Sequence, residues 1–204
     1  MIQHHPEEST LAEFAAGTLD EGRSLVVATH VAMCPACRRF MSAMAHVGGH
    51  LLEESVPAAM SDGARERAMS RLPGIDAPAA PVVRHDALSR YPLGPWRWIG
   101  PGIHRRAVEV PSDNGTRVFM LKAAPGTRMP EHRHVGTELT LVLTGAFVHR
   151  GGRFAAGDID DADDSMEHDP VVDRGEECIC LVAMQGDLRL SGLIGRLIQP
   201  FVRL

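Results

Sequence analysis

The chain has 204 residues, a formal net charge of −5 and an apolar content of 44%, which is ordinary for a globular protein of one large or two small domains. No segment carries a basic stripe, so we do not expect direct binding to nucleic acid. No apolar run approaches the roughly 20 residues that span a bilayer, and the first residues lack the features of a signal peptide. We therefore expect a cytoplasmic protein that does not contact the membrane.

Four helices are predicted in the first 72 residues from apolar side chains at helical spacing. The apolar stripe of the third helix is interpreted as core packing. The fourth has too weak an apolar face to be stable alone, and we interpret it as an element that binds a partner. The helices are predicted over residues 7–16, from the capping box Thr18-x-x-Glu21 to Met33, from Pro35 to about Glu54, and over 61–72 with Ser61 as candidate N-cap.

A cluster of potential metal ligands lies where the second helix meets the third. The pattern His30-x3-Cys34-x2-Cys37 brings three nitrogen and sulfur ligands together within two helical turns. Structural zinc takes four such ligands in a tetrahedron, and His4 and His5 are the candidates for the fourth. A redox C-x-x-C pair is the competing interpretation, but that motif is expected at a helix start after a strand. The sequence therefore predicts a zinc site here.

A linker is predicted over residues 73–88, because its first part is rich in proline and alanine. It separates a helical domain, residues 1–72, from a β domain, residues 89–204. In the β domain the apolar period switches to two and turns follow closely, which favours a sandwich or barrel. Strands are predicted at 116–124, 137–144, 146–150 and 177–184, with two more at 188–190 and 197–202.

A second set of potential ligands lies in the β domain. His132 and His134 are two residues apart, so on an extended chain their side chains point the same way. Glu138 begins the next strand, and His168 is the best candidate for a fourth ligand. Three histidines and a carboxylate suit zinc, iron, manganese or nickel. The acidic run from Asp158 to Asp169 lacks the spacing of a calcium loop and is interpreted as a solvated loop.

Cys178 and Cys180 alternate along a predicted strand and share one of its faces. Their Cα separation, about 6.5–7 Å, is at the upper limit for a disulfide. Two interpretations stay open. They are buried, inert cysteines, or they are a thiol pair that oxidises near the metal.

The pattern Gly126-x5-His132-x-His134-x3-Glu138-x6-Gly145 resembles the first cupin motif position by position, whereas the second motif lacks its usual proline and asparagine. Together with the helical ligand cluster, it resembles the zinc-binding anti-sigma factors, most closely the ChrR type with a C-terminal cupin domain. Further stretches that carry the resemblance are 15–19, 24–30, 47–49, 139–143 and 177–181.

The resemblance implies an α + β two-domain fold, in which a four-helix zinc-binding anti-sigma domain precedes an antiparallel β-barrel of the cupin type. It implies Zn²⁺ in the first domain and a second divalent metal, for which zinc is expected, in the cupin domain. The implied zinc ligands are His5, His30, Cys34 and Cys37, and the implied cupin ligands are His132, His134, Glu138 and His168.

The implied function is binding of a group IV (extracytoplasmic-function, ECF) sigma factor, one to one, which blocks access of that factor to core RNA polymerase. The cupin domain is implied to take part in the response to oxidative stress, such as singlet oxygen or organic hydroperoxides. No catalytic residues are expected. Two alternatives are a dioxygenase-like, metal-dependent cupin enzyme with a zinc-stabilised helical accessory domain, and a redox switch in which oxidation of Cys34 and Cys37 expels the metal.

Overall fold

The structure is a computed structural model, which describes residues 2–72, 87–111, 115–162 and 167–190. The side chains of five residues within these ranges, His134, Glu167, His168, Leu188 and Leu190, are outside the description. Most of the predicted linker and the predicted strand at 197–202 lie outside the described residues.

The described residues form four α-helices, which confirms the four-helix prediction. They are α1 (Glu8–Ala16), α2 (Glu21–Met33), α3 (Pro35–Glu53) and the short α4 (Ala64–Ser70). No helix in the described part of the chain is long and apolar enough to cross a membrane.

Two predicted helix caps are wrong. Helix α2 is capped by Asp20, whose side chain accepts a hydrogen bond from the Arg23 backbone N–H at 3.0 Å. Thr18 instead donates to the Glu13 carbonyl and helps to close the end of α1. Helix α4 is also shorter than predicted, because Gly63 in the left-handed conformation is its N-cap, and the Ser61 side chain accepts a hydrogen bond from Arg67.

Twelve antiparallel strands make up the second half of the described chain. One sheet has six strands in the order β1-β2-β3-β11-β5-β8, and two sheets have three each, β10-β6-β7 and β12-β4-β9. Hydrogen bonding among the described residues does not close them into one barrel. The strands are β1 (Arg97–Gly100), β2 (Ile103–Ala107), β3 (Arg117–Ala123), β4 (His132–Val135), β5 (Glu138–Thr144), β6 (Ala146–His149), β7 (Gly152–Ala155), β8 (Ile159–Ala162), β9 (Glu167–His168), β10 (Val171–Val172), β11 (Cys178–Met184) and β12 (Asp187–Leu190).

The six-stranded sheet is apolar on both faces. Because side chains alternate along a strand, Leu181 of β11 joins one buried cluster, whereas its neighbours Cys180 and Val182 join another. The second cluster also contains Phe147 and Phe154 from the smaller sheet. The β region therefore has its own core between its sheets and a second apolar face outside it.

Helix α2 covers that outer face. Val26 and Val27 are fully buried and belong to the same cluster as Leu141 and Leu181. The helix begins so close to the sheet that a Cβ atom on Gly22 would lie 2.8 Å from side-chain carbons of Thr116 and Val118. The helices and the β region are thus joined by a continuous hydrophobic cluster. The boundaries proposed for the two domains stay a prediction.

Candidate metal centre

Four potential ligands meet at the junction of α2 and α3. Cys34 ends α2 and caps α3, and Pro35 starts the new helix at a position where its missing N–H costs nothing. This turn brings Cys34 and Cys37 beside His30 and His5, and the four ligand atoms all lie within 4.8 Å of one another. The cluster could hold a metal ion.

The spacing of these atoms fits a tetrahedral ion. His30 Nε2 lies 3.2 Å from Cys37 Sγ, and His5 Nδ1 lies 3.4 Å from Cys34 Sγ and 3.5 Å from Cys37 Sγ. Zinc–ligand bonds of about 2.0–2.3 Å give tetrahedron edges of roughly 3.6 Å. A hydrogen bond from the Cys37 backbone N–H to Cys34 Sγ, at 3.5 Å, would stabilise a thiolate there.

Burial favours the neutral form of His30, which is the form that binds a metal ion. The residue is 0% exposed, and burial lowers its pKa. Its Nδ1 donates to the Gly157 carbonyl at 2.8 Å, which leaves the lone pair on Nε2, the nitrogen nearest the sulfur atoms. Burial and the hydrogen bond with Cys34 raise the pKa of Cys37 to about 12. A divalent cation would reverse that preference, because it favours the thiolate form.

The structure separates the two candidates for the fourth ligand. His5 points into the cluster and makes an edge contact with the His30 ring. His4 lies elsewhere, with its ring stacked on Phe154 at a centroid distance of 4.1 Å. Of the two adjacent histidines, His5 alone is brought to the cysteines.

The second predicted site is only partly described. His132 is buried, and its Nδ1 donates to the Pro130 carbonyl at 2.8 Å. Burial raises the pKa of Glu138 to about 7, although His132 and a hydrogen bond from Thr140 act in the opposite direction. His168 pairs with His132 in the ladder between β9 and β4. The side chains of His134 and His168 lie outside the description, so this ligand set stays a prediction.

His132 and Glu138 line a cavity of about 430 Å³ inside the β region, together with Asp160, Cys178 and Cys180. The two cysteines are free thiols with Sγ atoms 3.7 Å apart, and both interpretations of their role stay predictions.

The solvated-loop interpretation is wrong for part of the acidic run. Asp158 and Asp160 are buried. Asp160 accepts a hydrogen bond from His149 Nε2 at 2.9 Å, and Asp158 accepts three from backbone N–H groups. The run therefore contains strand β8, which begins at Ile159, and Asp158 lies immediately before it.

Comparison with known proteins identifies the family. Residues 85–186 match the family model described as the ChrR cupin-like domain. The chain is 41% identical over 213 residues to the anti-sigma-E factor ChrR of Cereibacter sphaeroides, across 100% of this chain and 99% of that protein. A crystal structure of Rhodobacter sphaeroides SigE in complex with the anti-sigma ChrR matches 91% of this chain and 100% of its own, with 39% identity and a TM-score of 0.76. The chain therefore belongs to the ChrR family of anti-sigma factors.

Proposed function

We propose that this protein is an anti-sigma factor that binds an ECF sigma factor one to one and blocks its access to core RNA polymerase. Family membership supports this proposal, and a related ChrR has been crystallised with SigE. Binding would take place in the cytoplasm, where sigma factors meet the polymerase. The dioxygenase-like alternative is not favoured, because the full-length relative is an anti-sigma factor rather than an enzyme.

An exposed apolar surface carries the proposal. The interpretation of the α3 stripe as core packing is wrong for the second half of that helix, where Leu51 and Leu52 are 63% and 74% exposed. Several large apolar side chains exposed along one stretch of a folded chain are typical of an interaction site. We call it the α3–α4 surface, and define it as Val47, Leu51, Leu52, Val56, Met60, Met69 and Leu72, each more than half exposed.

We propose that His5, His30, Cys34 and Cys37 bind a structural Zn²⁺. The ion would bind both helices and the amino-terminal segment to one point, and so fix the angle at which α3 leaves α2. Structural zinc contributes folding free energy directly, and here it would orient the helix that carries three of the seven residues of the α3–α4 surface. A closed site with four protein ligands leaves no position for a substrate.

We further propose that His132, His134, Glu138 and His168 bind a second divalent metal, for which zinc is expected. The cupin-like region would then take part in the response to oxidative stress. This proposal is supported by the buried His132 and the partly buried Glu138, which both line the cavity.

The experiment is a competition for the sigma factor. Purified chain should prevent its ECF sigma factor from assembling with core RNA polymerase, and removal of zinc by a chelator should abolish this inhibition. A Leu51→Asp, Leu52→Asp variant, which changes only exposed positions, should keep its zinc and lose inhibition. A zinc-loaded chain that never associates with the sigma factor contradicts the proposal.

A further inference from the structure

The segment that carries His5 is held in place by the β region. The backbone N–H groups of Gln3 and His4 donate to Asp158 Oδ1 at 2.6 and 3.0 Å. The backbone N–H of Ile159 donates to the His4 carbonyl at 3.3 Å. The residues immediately before His5 are therefore attached to strand β8 and to the turn that precedes it.

The residues that follow His5 are held by the same strand. Asp161 Oδ2 accepts hydrogen bonds from the Glu7 backbone N–H at 3.1 Å and from Thr10 Oγ1 at 2.9 Å. Thr10 is buried, so its bond to Asp161 is partly shielded from water, whereas the bond from Glu7 is exposed. Hydrogen bonds to a charged group are stronger than those between neutral groups. His5 thus lies between two anchored points, and both anchors are carboxylates from one short segment.

The turn before β8 also supports the second histidine. The Gly157 carbonyl accepts the hydrogen bond from His30 Nδ1. Gly157 has a φ of +94°, and a Cβ atom there would lie 2.6 Å from Ile2 Cδ1. A side chain at this position would clash with the Ile2 side chain and would strain the backbone that carries the carbonyl. Residues 157–161 therefore contact both histidines or their immediate neighbours.

This segment reaches the cavity as well. Asp160 points to the opposite face of the strand from Asp161, lines the cavity and bonds to His149. Asp160 thus lines the cavity, while Asp158 and Asp161, on either side of it in sequence, hold the segment that contains His5.

We propose that Asp158 and Asp161 are positioning residues for His5, and that the Gly157 carbonyl positions His30, so that the cupin-like region sets how firmly the amino-terminal site holds its metal. The inference rests on the zinc site proposed above. Groups that hydrogen-bond directly to a metal-bound side chain change metal affinity by about 10- to 100-fold when they are removed. The Gly157 carbonyl is such a group for His30, whereas Asp158 and Asp161 act through the backbone beside His5. The proposal places such partners in a region that supplies none of the four ligands.

The test uses the full chain with Co²⁺ in place of Zn²⁺, because thiolate–cobalt absorption reports a site that contains cysteine. Loss of this absorption to an excess of chelator should be up to about 10-fold faster in Asp161→Ala than in the unmodified chain, the lower end of the range for direct partners, because Asp161 holds the backbone beside His5 rather than its ring. Asp161→Asn should give a rate between that of Asp161→Ala and that of the unmodified chain, since its amide oxygen can accept both hydrogen bonds but carries no charge. Asp173→Ala is the matched control, because Asp173 pairs with Arg153 inside the β region, and its rate should not change.

The possible outcomes separate the two proposals. If Asp161→Ala is folded by circular dichroism and loses cobalt at the unmodified rate, the positioning role is refuted. Should that variant fail to fold, Thr10→Val removes one of the two hydrogen bonds with little change of shape, and its unchanged rate would refute the role equally. Absence of thiolate–cobalt absorption in the unmodified chain would instead refute the zinc site itself. Loss of the absorption in Cys34→Ser assigns it to this site.

Discussion

Truncation of an exposed leucine on the α3–α4 surface should weaken sigma-factor binding without weakening the fold. Complete burial of a leucine side chain contributes about 1.5–3 kcal/mol. Since Leu51 is 63% exposed and Leu52 is 74% exposed in the free chain, a partner that covers either one would gain about two thirds of that value. Leu51→Ala or Leu52→Ala should therefore cost roughly 1–2 kcal/mol of binding, which is about a 5- to 30-fold increase in Kd.

The same two substitutions should hardly change the stability of the fold. Neither leucine packs in the core, so the free energy of unfolding should change by no more than about 0.5 kcal/mol. Leu11→Ala is the matched control, because Leu11 is 4% exposed and belongs to the cluster between the helices and the sheet. It should lose about 2–5 kcal/mol of stability, with little change in Kd while it remains folded.

Calorimetric titration of the purified sigma factor into each variant, with urea unfolding of the same preparations, measures both quantities. If Leu51→Ala and Leu52→Ala both bind the sigma factor with the Kd of the unmodified chain, the surface lies outside the interface and the reasoning fails.

The remaining predictions concern the metal sites, a close helix–sheet contact and pH. Cys37→Ser should lose both zinc and sigma-factor inhibition, as measured by metal analysis and transcription in vitro; inhibition without zinc would contradict it. The double substitution His132→Ala, His134→Ala should keep inhibition and weaken release of the sigma factor under oxidative stress. A loss of inhibition as great as that in Cys37→Ser would contradict this division of roles between the two sites. Gly22→Ala should destabilise the fold in thermal unfolding because of the 2.8 Å contacts with β3 and the residue before it, whereas Gly48→Ala, with open space around it, should stabilise α3 by up to about 1 kcal/mol. Burial alone would raise the pKa of Asp158, but hydrogen bonds from Ala155, Gln3 and His4 outweigh it and lower the pKa. The stability that Asp158 contributes should therefore be present above about pH 3.9, its unfolded value, and disappear as the pH falls through the lower folded value. Urea unfolding of metal-free chains should show the difference between the unmodified chain and Asp158→Asn shrinking below about pH 4, and a constant difference would contradict the assignment.

The amino-terminal cluster shows how far spacing along the chain can predict a site. His30, Cys34 and Cys37 lie within eight residues of sequence, so helix geometry alone predicts that they converge. The choice between His4 and His5 could not come from local geometry, because adjacent residues in an extended segment point in opposite directions. That direction is set by the hydrogen bonds to Asp158 and Asp161, more than 150 residues away.

Local patterns in the sequence determined the four helices, five of the twelve described strands (β3, β5, β6, β11 and β12) and the amino-terminal ligand cluster, because period and spacing act over a few residues. Tertiary contact alone decided that the second half of α3 is exposed, that Asp158 and Asp160 are buried, and that α2 packs against the sheet. Burial depends on which surfaces meet. The sequence pattern of an apolar stripe is the same whether the stripe is covered by this chain or by another protein. The burial of Asp158 and Asp160 could not be predicted for the same reason, since an acidic run is solvated unless distant N–H groups donate hydrogen bonds to it.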